Sequence, residues 1–507
     1  MPAHLDLDGF GRHWAAGRPF TVSIRIAGDL LTPVAAFLKL RAAGSGPAFL
    51  LESVEGGSAR GRYSAIGLEP DLIWRCRDGR AELNRSAREA PEAFLPEDRA
   101  PMASLRELIV ANQMPQDDGL PPMSAGLFGY LGYDMVREME RLGPPRQNPI
   151  EASDGVLVRP TINLVFDNVR DEITVTHLVR PEAGRTARIA FETATDTLDN
   201  VLTTLESPLP PGTDGGGREA PAVGPPVANL SPDAFRAMVA RAKEYIRAGD
   251  IFQVVLSQRF EAPFELPPFA LYRALRRVNP APFLCYLDFE AFQIVCSSPE
   301  ILVRVRDGTV TLRPIAGTRP RGATSAEDER LAAELLADPK ERAEHLMLLD
   351  LGRNDVGRVA EIGSVAVTDR FFVERYSQVM HIVSNVEGRL RADRDMLDAL
   401  AAGFPAGTVS GAPKVRAMQI IDELEPDGRG PYAGCIGYFG PDGQMDTCIV
   451  LRTAVVKDGR MYVQAGAGIV HDSDPASEHA ECVNKAGALF RAADEARRFA
   501  ASPRRGQ

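Results

Sequence analysis

The segment from Arg313 to Gly322, "RPIAGTRPRG", groups arginines and glycines around the short apolar step Pro314–Ala316. Guanidinium forks and exposed glycine amides are groups that proteins use to bind carboxylates and phosphates. The segment has no nucleophile beyond the hydroxyl of Thr318, which is weak without an adjacent base. It therefore indicates an anion-binding site whose attacking group comes from elsewhere.

Two acidic segments carry polar side chains at helical spacing. These are Glu341, Glu344 and His345 in "ERAEHL", and Glu478, Glu481 and Lys485 in "SEHAECVNK". Residues three or four apart lie on one face of a helix, so each segment predicts a polar helix face. If the two faces converge, their carboxylates would suit Mg²⁺, which takes one or two protein carboxylates and otherwise water or substrate oxygens. The alternative from spacing alone is an exposed Glu481–Lys485 salt bridge.

Arg452 lies inside the apolar, strand-like run "CIVLRTAVV". A guanidinium there needs an anion, which is either a bound carboxylate or an internal Asp or Glu, and the sequence leaves both open. Downstream, "YVQAGAGIV" places Gly466, Ala467 and Gly468 just after a strand, where small side chains let backbone amides approach a carboxylate. A tight turn without a ligand is the alternative for these three residues.

Glu300 and His381 are candidates for proton transfer. Glu300 follows a proline at a strand boundary in "VCSSPEILV", where its carboxyl could point into a cavity and donate a proton. His381 lies in the apolar run "YSQVMHIVSNV", where a lone histidine is more often a hydrogen-bonded core residue. Spacing does not show whether the fold brings these two side chains to the anion site.

The elements that would position these residues are strands with helices around them. The runs "IFQVVLSQRF", "FLCYLDFEAFQIVCSS" and "ILVRVRDGTVTLRPI" are read as consecutive strands without a helix between them, which favours antiparallel pairing. Helices are predicted over 231–249, with Ser231 as N-cap and Gly249 near the C-cap, and over 327–353, 395–403, 417–425 and 475–498. The predicted class is α+β, with helices packed outside mainly antiparallel sheets.

Composition limits the protein class. A chain of 507 residues with 44% hydrophobic and 25% charged residues is typical of a globular protein with two domains or an elaborated fold. The net charge of −11 argues against nucleic acid as the main partner. The sequence has no apolar run of membrane-spanning length and no secretory signal, and its six cysteines form no Cys-x-x-Cys pair, so we expect a cytoplasmic protein with free thiols.

One segment divides the chain. Residues 206–229, "ESPLPPGTDGGGREAPAVGPPVAN", are dominated by proline and glycine and are predicted to be a linker. It separates an N-terminal region, 1–205, from a C-terminal domain, 230–497, which carries nearly all of the residues named above. Residues 498–507 are expected to form a C-terminal tail.

The strings "PIAGTRPRG", "AEHLMLLDLGRNDVGRV", "GTVSGAPKVRAMQIIDELE" and "QAGAGIVHDSDPASEHAECVNKA" together resemble the chorismate-utilising enzymes. Within that family the resemblance is greatest to the large subunits (component I) of anthranilate synthase. It covers nearly all of 230–497 and is looser in the N-terminal region, where "FLLESVEGG" and "GRYSAIG" carry it. It implies a sandwich-like fold of two intertwined parts. The implied reaction adds ammonia at C2 of chorismate as the C4 hydroxyl leaves, and then eliminates pyruvate to give anthranilate, the first step of tryptophan biosynthesis.

The resemblance also assigns roles to residues of this chain. It implies that Glu344 and Glu481 bind Mg²⁺, that Glu300 is the general acid, and that His381 takes part in pyruvate elimination. Substrate contacts are implied for Gly317, Thr318, Thr408, Tyr432, Arg452, Gly466, Ala467, Gly468 and Lys485. Because a general acid must be protonated near neutral pH, we expect burial to raise the pKa of Glu300.

Two positions distinguish this chain from related enzymes. Typical 4-amino-4-deoxychorismate synthases carry a nucleophilic lysine where this chain has Ala316, and isochorismate and salicylate synthases carry a water-activating lysine where it has Gln253. Neither side chain can replace an amine as nucleophile or base. The resemblance therefore implies that ammonia attacks from outside. The alternatives are a 4-amino-4-deoxychorismate synthase or another chorismate-utilising enzyme, or a non-catalytic tryptophan-binding scaffold.

Partners follow from the same resemblance. The chain has no Gly-x-Cys-x-Gly-like elbow, so we expect a separate glutamine amidotransferase subunit (component II) in a hetero-oligomer with two copies of each chain. Free ammonia at lower efficiency is the alternative source. The "LLES" and "NPAPFL" elements resemble a tryptophan feedback site that includes Ser53, Pro282, Phe283 and Leu284.

Overall fold

A computed structural model describes residues 6–55, 59–114, 119–209, 224–376 and 379–501. The helices are α1 Leu7–Ala15, α2 Pro33–Ala43, α3 Pro101–Ala111, α4 Ala187–Glu206, α5 Pro232–Ala248, α6 Pro268–Val278, α7 Ser325–Ala337, α8 Pro339–Gly357, α9 Met396–Gly403, α10 Lys414–Leu424 and α11 Pro475–Ala501. Short 3₁₀ helices span Tyr133–Glu138 and Gly407–Val409.

The strands of the first half are β1 Phe20–Ala27, β2 Ala48–Glu55, β3 Ala59–Arg77, β4 Arg80–Asn84, β5 Leu95–Pro96, β6 Leu127–Leu131, β7 Gly155–Asp167, β8 Glu172–Val179, β9 Val227–Ala228 and β10 Gln253–Pro263. Those that follow are β11 Phe283–Asp288, β12 Gln293–Ser298, β13 Ile301–Arg306, β14 Thr309–Leu312, β15 Ile315–Pro320, β16 Ala366–Arg375, β17 Val379–Arg389, β18 Gly411–Ala412, β19 Cys435–Phe439, β20 Met445–Ile449, β21 Thr453–Lys457 and β22 Arg460–Ile469.

All described strand pairings are antiparallel, and they form two runs joined at the long pair β3–β7. One run continues through β2, β11, β12, β21 and β22 to β10. The other continues from β7 through β6, β19, β20, β13, β14 and β17 to β16. Two sheet layers with apolar inner faces can then pack against each other as in a sandwich.

Both runs mix strands from the two halves of the chain. In one, Ser53 of β2 lies opposite Phe283 of β11. In the other, Gly129 of β6 lies opposite Gly437 of β19. This interleaving confirms the predicted α+β fold of two intertwined, mainly antiparallel parts, because neither half completes its sheets without the other.

The helix after the predicted linker forms for the predicted reasons. The Ser231 hydroxyl accepts a hydrogen bond from the Ala234 amide at 3.2 Å, and Pro232 occupies the first turn, where its missing N–H costs nothing. Gly249 ends the helix in the left-handed conformation, at φ +82°. Of the linker itself, residues 210–223 lie outside the described residues, as do residues 502–507 of the predicted tail.

Three details of the helix prediction are wrong. The single helix expected over 327–353 is two helices, α7 and α8, which break at Asp338 because Pro339 cannot continue the turn and the Asp338 carboxylate caps the Lys340 and Glu341 amides. Helix α6, which begins at Pro268, was missed between β10 and β11 although its sequence is amphipathic. The helix expected over 417–425 begins earlier, at Lys414.

Candidate active site

One cavity of about 220 Å³ collects nearly all of the predicted catalytic, metal and substrate residues. It is lined by Glu300, His381, Gly317, Thr318, Thr408, Tyr432, Arg452, Gly466, Gly468, Lys485, Glu344 and Glu481. These residues come from β15, β17, β22, α8, α11, the 3₁₀ helix Gly407–Val409 and the loops before β13, β19 and β21. Distant parts of the sequence thus converge on one site, which spacing alone does not show.

Glu300 is a buried acid at one end of the cavity. Its side chain and backbone are 7% exposed, and its Oε1 accepts a hydrogen bond from the Thr408 hydroxyl at 3.2 Å. Burial raises the pKa of Glu300 to about 8, while the Thr408 hydroxyl and the nearby Arg452 charge act in the opposite direction. The raised pKa predicted from sequence is therefore present, and Glu300 is protonated at neutral pH.

His381 is a neutral imidazole in the same cavity. Its Nδ1 lies 2.8 Å from the Gly317 carbonyl oxygen and 3.2 Å from the Thr318 hydroxyl. The carbonyl is purely an acceptor, so Nδ1 carries the proton and Nε2 is left as an acceptor. Burial lowers the pKa of His381 to about 4, which keeps the ring neutral and able to take a proton. Gly317 holds this carbonyl in place at φ +69°.

Arg452 supplies a positive charge without an internal partner. Among the described residues, no hydrogen bond or ion pair to its guanidinium is found, although the Glu300 carboxyl lies near enough to raise its pKa. Burial has the larger effect and lowers the pKa of Arg452. Within the part of the chain that the structure describes, the internal salt bridge that the sequence left open is therefore not formed, and the guanidinium faces the cavity available for an anion.

The glycine residues of β22 present their backbone to the cavity. They lie inside the strand, opposite β10, rather than just after a strand as the sequence analysis has them. The Gly466 carbonyl oxygen accepts a hydrogen bond from Lys485 Nζ at 2.9 Å, on the edge that β21 leaves uncovered. Since the N–H and C=O of one strand residue point to the same side, the Gly466 and Gly468 amides share that edge. Ala467 alternates to the opposite face and is fully buried there.

Carboxylates gather at the other end of the cavity. Glu344 of α8 and Glu481 of α11 both line it, and the charge of Glu481 helps to raise the pKa of Glu344, although burial and Glu341 have larger effects. The pKa of Glu478 is also raised, mainly by burial, and the charge of Glu481 contributes. Lys485 pairs with Glu481 at 2.7 Å, so the predicted i,i+4 salt bridge forms beside the carboxylate cluster.

The polar helix faces predicted around these carboxylates are only partly right. Glu341 forms an ion pair with Arg319 at 2.9 Å and does not line the cavity. His345 is fully buried, and its Nε2 lies 2.6 Å from the Ser384 hydroxyl. Glu344 therefore lines the cavity while its neighbour His345 is buried elsewhere, because the two side chains are about 100° apart around the helix.

The two positions that separate related enzymes both line the cavity. Ala316 is 7% exposed, and the methyl group leaves space that a lysine would fill. Gln253 is 3% exposed, and its Oε1 has no hydrogen-bond partner among the described residues. A buried amide oxygen without a partner is costly, so this acceptor is matched to a donor that enters the cavity.

The residues predicted to bind tryptophan lie away from this cavity. Ser53 and Phe283 face each other across β2 and β11, both partly exposed, with Pro282 beside them. Leu284 is 1% exposed and packs in the core, on the opposite face of the strand. Phe283 also pairs with Ser298 of β12, two residues before Glu300, so the two sites share a sheet.

Gln464 was not among the predicted residues, yet it lines the cavity. Its Nε2 donates to the Ser257 hydroxyl at 2.8 Å, and its buried Oε1 has no partner among the described residues. The signal was available, because alternate residues of a strand share a face and Gln464 precedes Gly466 and Gly468 at that interval.

Two class predictions can also be compared with the structure. All six cysteines are free and buried, as expected. In the described part of the chain, none of the helices has the length and apolar character needed to cross a bilayer.

Comparison with known proteins agrees with the site. A family model for chorismate binding enzymes matches residues 47–491. The chain therefore belongs to the chorismate binding enzyme family. Within it, the chain is 53% identical to anthranilate synthase component 1 of Cereibacter sphaeroides, over 97% of this chain and 98% of the relative, and 46% identical to that of Pseudomonas aeruginosa, over 96% of each. The crystal structure of anthranilate synthase component I from Streptococcus pneumoniae is 38% identical, with a TM-score of 0.74 over 92% of this chain and 99% of that one.

Proposed function

We propose that this chain is the large subunit of an anthranilate synthase, which converts chorismate and ammonia to anthranilate and pyruvate through 2-amino-4-deoxyisochorismate. One observation carries the choice among chorismate enzymes: the cavity has Ala316 and Gln253 at the two positions where related enzymes place a reactive lysine. Lys485 also lines the cavity, but its amine is held by Glu481 and the Gly466 carbonyl. The attacking nitrogen is therefore that of ammonia.

Binding begins with the charges of the substrate. Chorismate has two carboxylates, and Arg452 offers a guanidinium to which the described residues make no hydrogen bond or ion pair, in the wall of the cavity. The edge amides of Gly466 and Gly468 add donors, and the buried Tyr432 hydroxyl lies beside Gly466. Charge-assisted hydrogen bonds of this kind fix both the position and the orientation of a carboxylate. Thr318 and Thr408 line the same cavity and complete its polar wall.

The first chemical step exchanges a hydroxyl for an amine. As ammonia bonds to C2, the ring double bond shifts and the C–O bond at C4 breaks. The departing hydroxyl needs a proton, and Glu300 holds one at neutral pH because its pKa is about 8. The unpartnered Gln253 Oε1 is an acceptor for an N–H of the incoming ammonia. The ammonium group formed at C2 then releases one proton to solvent, which leaves a neutral amine.

The second step makes the ring aromatic. A proton leaves C2 and the bond between the adjacent ring carbon and the enolpyruvyl oxygen breaks. The side chain departs as the enolate of pyruvate, which takes up a proton from solvent at its methylene carbon. Neutral His381 is suited to receive that proton at Nε2, because its Nδ1–H is fixed on the Gly317 carbonyl.

Magnesium fits the opposite end of the cavity. Glu344 and Glu481 would hold the ion, and their mutual repulsion, which contributes to the raised pKa of Glu344, is what a divalent cation relieves. When bound, Mg²⁺ anchors the ring carboxylate of chorismate and stabilises negative charge that develops on the ring. Glu478 lies close enough to Glu481 to add to the negative potential there.

The function is tested by mixing the pure chain with chorismate, Mg²⁺ and an ammonium salt at pH 8 and recording anthranilate fluorescence. Fluorescence that requires all three additions is expected. A non-fluorescent amino product would favour a 4-amino-4-deoxychorismate synthase, and binding of tryptophan without turnover would favour a scaffold. Omission of Mg²⁺ together with a chelator tests the metal separately.

We propose two partners for regulation and supply. A separate glutaminase subunit would deliver ammonia, in a complex with two copies of each chain, and affinity purification from cells followed by native mass measurement tests both points. Tryptophan would bind on the face that carries Ser53, Pro282 and Phe283, from which the Leu284 side chain points away into the core, and would inhibit through the strands that join Phe283 to Ser298, next to Glu300. Loss of inhibition in Ser53→Phe with catalysis retained is the expected result. A cytoplasmic location, consistent with six free cysteines, is tested by cell fractionation.

A further inference from the structure

A buried ion pair lies directly behind the wall of the cavity. Arg429 and Glu425 are 2% and 3% exposed, and neither lines the cavity. Arg429 donates from Nε to Glu425 Oε2 at 2.9 Å and from Nη2 to Oε1 at 2.6 Å. This is a bidentate pair in which the charge of each partner is neutralised without solvent.

The remaining donors of Arg429 reach two separate cavity walls. Nη1 donates to the Val409 carbonyl at 2.7 Å, and Nη2 donates to the Val255 carbonyl, also at 2.7 Å. Both valines line the cavity. The guanidinium also lies 5.6 Å from the ring centre of Tyr432, a third wall residue, in a cation–π contact.

Glu425 extends the same network to a fourth wall. Its Oε1 accepts from the Ser257 amide at 2.7 Å and the Ser257 hydroxyl at 2.9 Å. That hydroxyl in turn accepts from Gln464 Nε2 at 2.8 Å. A single buried pair thus connects β10, β22, the 3₁₀ turn at 407–409 and Tyr432.

We propose that Arg429, clamped by Glu425, is a positioning residue for the general acid, a role that rests on the proposed function. Val409 follows Thr408, whose hydroxyl donates to Glu300. By holding the Val409 carbonyl, Arg429 fixes the 3₁₀ turn in the position from which the Thr408 hydroxyl donates to the Glu300 carboxyl. Lysine cannot take its place, because one ammonium cannot reach two carbonyls and both carboxylate oxygens in a planar fork.

The test compares Arg429→Lys with Thr408→Val. Thr408→Val removes the hydroxyl that holds down the pKa of Glu300, so the high-pH limb of kcat/KM should move to higher pH. If Arg429 positions Thr408, Arg429→Lys moves that limb in the same direction and lowers kcat by roughly 10-fold or more, as misplacement of a catalytic group does, with a smaller change in the KM for chorismate. Arg159→Lys, at a bidentate pair with Asp71 in the N-terminal region, is the matched control and should leave the limb unchanged.

A second measurement does not depend on turnover. Amide exchange followed by mass spectrometry should show faster exchange in a peptide covering 404–412 in Arg429→Lys, and no such change in Thr408→Val. If Arg429→Lys does not fold, Glu425→Gln, which is close to isosteric, replaces it in both measurements. An unshifted limb with unchanged exchange in a folded variant overturns the positioning role. Wild-type protein that forms no anthranilate overturns the proposed function instead, and the exchange result still decides the role of Arg429.

Discussion

The two ends of the cavity place carboxyl groups in different environments. At one end, Glu300 stands alone, buried, with a neutral hydroxyl as its hydrogen-bond donor. At the other, Glu344 and Glu481 lie near each other, with Glu481 largely exposed. The pKa values of Glu300 and Glu344 are both raised, and burial is the first cause of each, but only Glu344 is also raised by neighbouring carboxylates.

This difference decides which carboxyl can be an acid. A divalent cation at the carboxylate end would reverse the effect of the neighbours and leave Glu344 ionised. It would do little at Glu300, whose pKa is set by the absence of water. One cavity can therefore hold a proton at one end and a cation at the other, which is the arrangement that the departure of a hydroxyl from an anionic ring requires.

The largest effect is expected at the carboxylate end. Glu344→Ala or Glu481→Ala should abolish anthranilate formation at Mg²⁺ concentrations that saturate the wild type, because each change removes one of the two carboxylates that would hold the ion. Fluorescence assays over a Mg²⁺ titration measure this, and an unchanged melting temperature shows that the fold survives. Glu495→Ala is the matched control, since this carboxylate lies on α11, pairs with Arg498 and does not line the cavity. Full activity in either test variant would remove that residue from the metal site.

At the acid end, Glu300→Gln should lower kcat by roughly 10²–10⁴-fold, the usual contribution of a general acid. Glutamine has the same size as glutamate and can still accept the hydrogen bond from the Thr408 hydroxyl. The loss of activity therefore reports the missing acidic proton. In the wild type, kcat/KM should fall as pH rises through about 8, because Glu300 then loses its proton. If kcat/KM of Glu300→Gln still falls as pH rises through about 8, the fall is caused by a group other than Glu300.

The sequence predicted the members of the site better than their surroundings. Glu300, His381, Glu344 and Glu481 line one cavity, although spacing alone left each of them ambiguous. Patterns local to one helix or strand specify which residues are polar, but convergence depends on pairings such as β10 with β22, about 200 residues apart. That information is not present in local periodicity, and the resemblance to a family supplied it.

What the sequence missed has a common physical cause. Glu425 and Arg429 are separated by Pro426, Asp427 and Gly428 beyond the end of α10, where a spacing of four implies no helical contact, so the sequence gives no sign that they form an ion pair. Only burial separates a network that holds the cavity wall from a solvated surface pair. Likewise, the polar and apolar pattern continues across Asp338, but Pro339 cannot continue a helix, so the chain forms two helices where periodicity alone predicts one.

Space at the nucleophile position gives the third prediction. Ala316→Lys should lower ammonia-dependent synthesis by at least about 10-fold, because the longer side chain fills the room left for substrate and adds an amine beside the ring. The rate of anthranilate formation measures the loss, and mass spectrometry detects any covalent adduct. Ala467→Ser, in the same sheet but facing away from the cavity, is the control for a change of small side chain. Unchanged rates in Ala316→Lys would show that position 316 does not face the ring.

A smaller effect is expected for the substrate anchor. Arg452→Lys keeps the charge but loses the fork, so the KM for chorismate should rise by about 10-fold, equivalent to about 1.4 kcal/mol. The change in kcat should be smaller, because a carboxylate is held in both the ground state and the transition state. Steady-state kinetics with chorismate separate the two constants. A fall in kcat at constant KM would instead place the guanidinium at the reacting atoms.

The smallest effect is expected in how the stability contributed by Glu300 depends on pH. The pKa of Glu300 is about 8 in the folded chain and about 4.5 in a solvated one, so between these values the folded state binds a proton that the unfolded state has released. The free energy of unfolding contributed by this group therefore decreases as pH rises from 4.5 to 8. Glutamine does not titrate, so Glu300→Gln should match the wild type near pH 4.5 and melt a few degrees higher at pH 8. Thermal melts at both pH values measure this, with Gln substituted at the exposed Glu329 as the control. An equal difference at both pH values would mean that Glu300 is ionised in the folded protein, and its role as the acid would then fall.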